Sequence, residues 1–222
     1  MTSTISLTDM KEELVQFLRN QDIFSTTTRN VATQTDTGTL TGATSLLINK
    51  SNVKNIRSIT VATILLVYGK DFSLDLDYDI GAGVINAKLT FTAAQTGAYS
   101  ITYDYGTDRI FGDFPKPALG LQHFPRIAVD FIGISTKEMG IGAYSNNTDI
   151  SMSIYVYAAK TGDIDAYMDK VRRSIITNKK NFFYFSFITL ATVGPTLLFA
   201  DGQQKIFQRN IDIVSVDNIE EV

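Results

Sequence analysis

The chain has 222 residues, a formal net charge of −3, 44% apolar and 19% charged residues, one histidine and no cysteine. That length can bury a full core as one large domain or two small ones, in a composition that is globular rather than disordered. Lack of cysteine excludes disulfides, thiolate metal sites and cysteine nucleophiles, a lone histidine excludes multi-His metal sites and His-pair acid–base chemistry, and the acidic balance argues against a general binder of DNA or anionic membranes.

Composition thus points to a structural or binding protein rather than an enzyme, with no cofactor motif. The 14 Phe and 10 Tyr in so charge-poor a chain point to apolar surface covered by a partner. The N-terminus lacks the basic start and apolar stretch of a secretory signal. Residues 7–20 read as a helix: Met10, Leu14, Phe17 and Leu18 make one apolar stripe, Lys11, Glu13, Gln16 and Arg19 fill the other face, and Asp9 with Glu12 has capping-box spacing.

Composition then changes. Residues 25–45 are crowded with Thr, Ser, Gly and Asn, which suits edge strands and loops. Strand-like runs follow at Ser45–Asn49, Asn55–Val61, Ile64–Tyr68, Phe72–Asp77, Val84–Phe91 and Tyr99–Tyr105. Turn signals separate them at 69–71, 81–83 and 95–97. In the last run Tyr99, Ile101, Tyr103 and Tyr105 face one side, and Ser100, Thr102 and Asp104 face the other. Short strands at this spacing predict a small antiparallel sandwich or barrel.

Residues 107–125 carry three of the four prolines and read as a linker. Beyond it the pattern becomes α+β. Arg126–Ile134 is an almost wholly apolar strand, and Ile150–Ala158 alternates. A Gly-containing loop over Thr136–Thr148 joins them. A helix runs from Asp163 to about Asn178 on Ile164, Tyr167, Met168, Val171 and Ile175, and Lys205–Val216 is the final strand. Phe182–Ala200 holds 19 residues without a charge, but Gly194-Pro195 splits it into two strand-length pieces, which predicts a buried hairpin rather than a membrane span.

No segment builds an active site. His123 has no activated serine beside it and no nucleophile elbow exists in the chain. Gly140-Ile141-Gly142 lacks the Lys-Ser/Thr of a phosphate loop, and Asp108, Arg109 and Arg126 read as isolated charges. Asp75, Asp77 and Asp79 open like a calcium loop, but its sixth and twelfth positions hold Ile80 and Asn86 instead of Gly and Glu. They read as the solvated face of a strand, with a bound ion as the alternative. The loop residues Met139, Ile141 and Tyr144 are large apolar groups on a glycine-flexible segment, and are candidates for docking on another subunit.

One order of elements carries a resemblance. Phe124-Pro125-Arg126-Ile127-Ala128-Val129 enters a strand. Ile154-Tyr155-Val156-Tyr157 ends the next one, and Asp163-Ile164-Asp165-Ala166-Tyr167-Met168 opens a helix. With the helix at 7–20 before them and Lys205–Val216 after, this resembles the tail terminator (tail-completion) proteins of long-tailed bacteriophages. The resemblance covers residues 7–20 and about 107–216. It departs from the family at residues 25–106, which stand where a compact terminator has a short connection.

The resemblance implies an α+β core over 1–24 and 107–222, with an antiparallel or mixed sheet and two helices, and an inserted β-sandwich-like domain over 25–106. It implies a homo-hexameric ring in the virion that caps the head-proximal end of the tail tube protein and meets a head-side neck or connector protein. DNA would pass through the lumen without specific binding, and no membrane is involved. The competing readings are another neck, connector or collar protein, a surface-binding β-module that recognises glycan or cell wall, and, least favoured, an enzyme.

Overall fold

The computed structural model describes residues 7–81, 84–112, 121–138, 145–185, 188–200 and 205–220. The chain divides into two units, Met1–Leu18 with Arg109–Val222, and Arg19–Asp108. Residues 19–24 and 107–108, expected with the α+β core, group with the second unit instead. In the wider sense the fold is α+β, with two sheets and few helices.

The discontinuous unit begins with helix α1 (Leu7–Asn20), whose last two residues belong to the other unit. Met10, Leu14 and Leu18 are fully buried, as the stripe requires. One expectation fails here. The helix starts at Leu7, so Asp9 lies in its first turn and is not the cap. On the other face Glu13, Gln16 and Arg19 are buried as well.

The sheet of this unit contains β6 (Ile110–Phe111), β7 (Arg126–Glu138), β8 (Ser145–Ala158), β9 (Ile188–Val193), β10 (Leu197–Ala200) and β11 (Ile206–Glu220). Its order is β10-β11-β8-β7-β6, with β9 also on β11. Every pairing is antiparallel except β6 with β7, which makes the sheet mixed. A pattern of alternate apolar residues sets the face: Val129, Ile154 and Ile211 stand abreast, as do Phe131, Met152 and Ile213. Helix α3 (Thr161–Asn178) packs on β8 and β11 and buries Ile164, Met168, Val171 and Ile175.

The expected hairpin over Phe182–Ala200 is corrected in two ways. The chain does break at Gly194-Pro195, but β9 and β10 do not pair with each other; each pairs with β11. Nor is the segment wholly buried, since Val193, Leu197 and Leu198 are exposed. Among the described residues no helix is long and apolar enough to cross a membrane.

The other unit holds α2 (Thr26–Arg29), β1 (Val31–Ser51), β2 (Val53–Val61), β3 (Ile64–Leu65), β4 (Phe72–Asp79) and β5 (Ile85–Gly106). β5 is its axis. β1 pairs with it along its length, while on its other side β4 takes the N-terminal part and β2 the C-terminal part. The strands expected to form a small sandwich or barrel belong to one hydrogen-bonded sheet. Ile48, Ile59, Phe72, Leu89, Ile101 and Tyr103, drawn from four strands, share its single core.

The turn expected at 95–97 is absent, since β5 runs through it. Register shifts between Leu40 and Ser45 mark bulges instead, beside Gly42 (φ 60°), with Gly97 (φ 127°) opposite Leu40. Glycine supplies left-handed backbone as readily to a bulge as to a turn, so the same residues carry both signals.

Candidate functional site

In the Arg19–Asp108 unit the chemistry gathers around Arg29. Ser25 Oγ accepts from the Thr28 N–H at 3.0 Å and starts α2, and Asn30 ends it in the left-handed region. That single turn turns the guanidinium of Arg29 into the interior, where the residue is 1% exposed. Nε and Nη2 donate to the two carboxylate oxygens of Asp108 at 3.0 and 2.5 Å. Nη1 donates to Asp104 and to the Arg19 carbonyl, both at 2.8 Å, and Nη2 also to Asn55 at 2.9 Å. All five donors of the fork are used.

The carboxylates have further partners. Asp104 accepts from Thr33 Oγ1 at 2.6 Å and Arg57 Nε at 2.7 Å. Arg19 Nε reaches Asp108 at 3.2 Å. Burial pushes the Asp104 carboxyl up, but the hydrogen bonds from Arg57 and Thr33 and the charge of Arg29 outweigh it and hold it below its ordinary value. With every donor of Arg29 taken and both carboxylates paired in the interior, the cluster is a clasp that fixes α2 against β2 and β5. This corrects one expectation, since Asp108 is not an isolated charge, and it shows that Asp104, on the face opposite Tyr103, is buried there.

In the discontinuous unit the notable feature is unpartnered sheet. Among the described residues, β6 pairs with β7 only at Ile127 and Ala128, and no strand lies beyond β7 from Phe131 to Glu138. At the opposite end, β9 and β10 pair with β11 alone. Both edges show apolar residues: Ile132 and Ile134 on β7 are 55% and 50% exposed, Leu197 and Leu198 on β10 53% and 49%. Beside β9 lies a groove of about 430 Å³ lined by Arg172, Ile175, Ile176 and Lys179 of α3 and Ile188, Leu190 and Val193 of β9.

A buried carboxylate braces the same unit. Glu13 on α1 accepts from the backbone N–H groups of Phe183 and Tyr184 at 2.5 and 2.9 Å, while the Phe17 and Phe182 rings meet at 4.5 Å. Burial raises the Glu13 carboxyl from 4.5 to about 7, although the two N–H donors pull the other way.

The remaining singled-out residues are scattered. His123 lies exposed in a 3-10 turn, Leu121–His123. Asp75, Asp77 and Asp79 share the exposed face of β4; Asp75 and Asp79 accept from the backbone N–H of Asp77 and Gly81 at 3.0 and 2.7 Å. Among the described residues no group of three or more acidic or histidine side chains could hold a metal ion. Arg126 is not isolated either, since its guanidinium stacks on Phe111 at 3.7 Å from the ring centre. The loop proposed at Thr136–Thr148 is shorter than expected, as β7 extends to Glu138 and β8 starts at Ser145. Met139, Ile141 and Tyr144, with Gly140 and Gly142, lie outside the described residues.

No family model matches the chain, and no curated protein matches its sequence.

Proposed function

We propose that the chain is a virion structural protein that forms a closed ring at the head-proximal end of a phage tail tube, ends tube polymerisation, and joins the tail to a head-side neck protein. The observation that carries this reading is a grouping. The two stretches that resemble tail terminators are far apart in sequence, yet all of them but residues 19–20 and 107–108 belong to one unit. Within it, the Phe-Pro strand β7, the Tyr-rich strand β8 and the last strand β11 are neighbours in one sheet, with α3 on β8 and β11.

The edges of that sheet support the ring. A head-to-tail ring requires each copy to present two different surfaces that fit each other, and closure leaves neither exposed. A sheet with two unlike, unpaired, apolar edges meets the first requirement and gains from the second. The net charge of −3 suits a lumen through which DNA slides without sticking. The Arg19–Asp108 unit is then a module carried by the ring protein.

Mass photometry and negative-stain electron microscopy of the purified chain, with and without tail tubes, test the reading. It expects rings of about six protomers, or monomers that become rings on tube ends. Stable trimers under both conditions, or binding along the tube wall rather than at its end, would overturn it.

A further inference from the structure

We infer that neighbouring copies join by continuing the sheet: the outer edge of β7 in one copy pairs antiparallel with the outer edge of β9 in the next. The inference rests on the ring reading above and specifies its contact.

Strand direction supplies the first argument. β7 is antiparallel to β8, β8 to β11, and β11 to β9. β7 and β9 therefore run in opposite directions. When a second copy is set beside the first without being turned over, its β9 meets β7 in the antiparallel sense, and the alternation of the sheet continues across the boundary. The same step repeated gives a heterologous contact, which closes into a ring when the rotation per step returns to its start.

Length and facing supply the second. A bulge at Ile132 interrupts β7 between Phe131 and Gly133. With Ile134 set opposite Leu190, Gly133–Thr136 of β7 lie opposite Ile188–Ala191 of β9, four residues on each strand. Ile134 lies abreast of Ile150, on the face covered by α3, and Leu190 lies abreast of Ile213 on that same face. Antiparallel pairing that sets Ile134 opposite Leu190 points Ile134, half exposed in the single copy, at the groove between α3 and β9. The groove floor of Ile175, Ile188 and Leu190 matches it in polarity. In that register Ser135 and Thr189, both exposed, come opposite each other on the other face.

Magnitude explains why the contact would be seen in rings and not in dimers. Four residues of strand span about 13 Å, and such an edge covers roughly 270 Å² per partner, about a third of the ~800 Å² of a standard interface. One such contact is weak. In a closed ring each copy makes two, and releasing any copy from the ring requires two contacts to be lost.

The absence of cysteine makes the test direct. Residues directly opposite in an antiparallel pair lie about 4.5–5.5 Å apart, within disulfide range. The double variant Ser135→Cys with Thr189→Cys, oxidised on tube ends, should give a ladder of covalent species ending at the ring number. Each single variant should give none, and a mixture of the two single variants should give dimers only. Ile134→Asp should abolish rings while leaving the melting temperature of the monomer unchanged. If rings form but no cross-link appears, and Thr189→Cys fails equally with Gly133→Cys and Lys137→Cys, the contact is wrong and the ring reading stands. If the unaltered chain forms no ring with or without tubes, the ring reading fails and takes this contact with it.

Discussion

Arg29→Met removes the one cation that touches both buried carboxylates of the Arg19–Asp108 unit. Asp104 and Asp108 are 0% and 2% exposed, so neither can recover water in its place. Breaking a buried ion pair by deleting one partner costs about 3–5 kcal/mol. The low end applies here, since Asp104 keeps Arg57 and Thr33 and Asp108 keeps Arg19. About 3 kcal/mol, with a denaturant slope of about 2 kcal/mol/M, lowers the urea midpoint by about 1.5 M. Hydrogen exchange read on peptides from β1 and β5 assigns the loss to this unit. Arg173→Met is the control: its pair with Asp169 has side chains 76% and 46% exposed, so it should move stability by no more than about 0.5 kcal/mol. Arg29→Met with Asp108→Asn should be less destabilised than Arg29→Met alone, because one of the stranded charges is gone. If Arg29→Met costs no more than Arg173→Met, the clasp does not hold the unit and the reasoning is refuted.

Three further outcomes are expected. Glu13 binds its proton more tightly folded than unfolded, so the folded state carries more protons between pH 4.5 and about 7, and stability falls as pH rises through that window; the span corresponds to about 3 kcal/mol, and Glu13→Gln should flatten the slope in urea titrations run from pH 4.5 to 8. Gly106 sits at φ 137° with room for no Cβ, which would come 2.5 Å from the Asn30 carbonyl oxygen; Gly106→Ala should cost about 3 kcal/mol, against an unchanged melting temperature if the backbone relaxes freely. Replacing residues 25–106 by a short Gly-Ser linker should leave a chain that unfolds cooperatively with the helix and strand content of the remaining unit, and a circular dichroism melt without a transition would count against independent folding.

Where hydrophobic contrast was strong, the sequence announced the structure. The stripe Ile164, Met168, Val171 and Ile175 places α3 to within two residues of its start, and the alternation through Ile150–Ala158 places β8. β1 was legible only at its end, Ser45–Asn49, because from Thr33 to Gly42 Thr alternates with Gln, Asp, Gly and Leu with little apolar contrast, so neither face stands out. That strand exists through its pairing with β5 rather than through its own pattern. Gln95-Thr96-Gly97 misled for a related reason: local chemistry fixes the dihedral angle that glycine permits, and only the partner strand decides whether the chain bends within a sheet or reverses.

The clasp was the least legible feature, and its invisibility follows from how it is built. Tyr103-Asp104-Tyr105 alternates correctly, and alternation does place Asp104 opposite the Tyr103 face. What alternation cannot say is that both faces of a strand end are covered, one by apolar groups and the other by an arginine 75 residues away. Buried charge leaves a fainter mark than buried apolar surface because it needs pairing and not periodicity. The mark that existed was one of scarcity. Between Asp22 and Lys50 the chain has only two charged residues, Arg29 and Asp36, and both make buried or half-buried contacts. Tyr103 donates to Asp36 at 2.8 Å just as Arg29 meets Asp108. In a segment that otherwise uses Thr, Ser and Asn for its polarity, a full charge is costly to keep unless a specific partner receives it. Sparse charge in a polar, uncharged stretch is therefore a better pointer to a buried pair than charge on an amphipathic helix, where the same residue would only solvate a face.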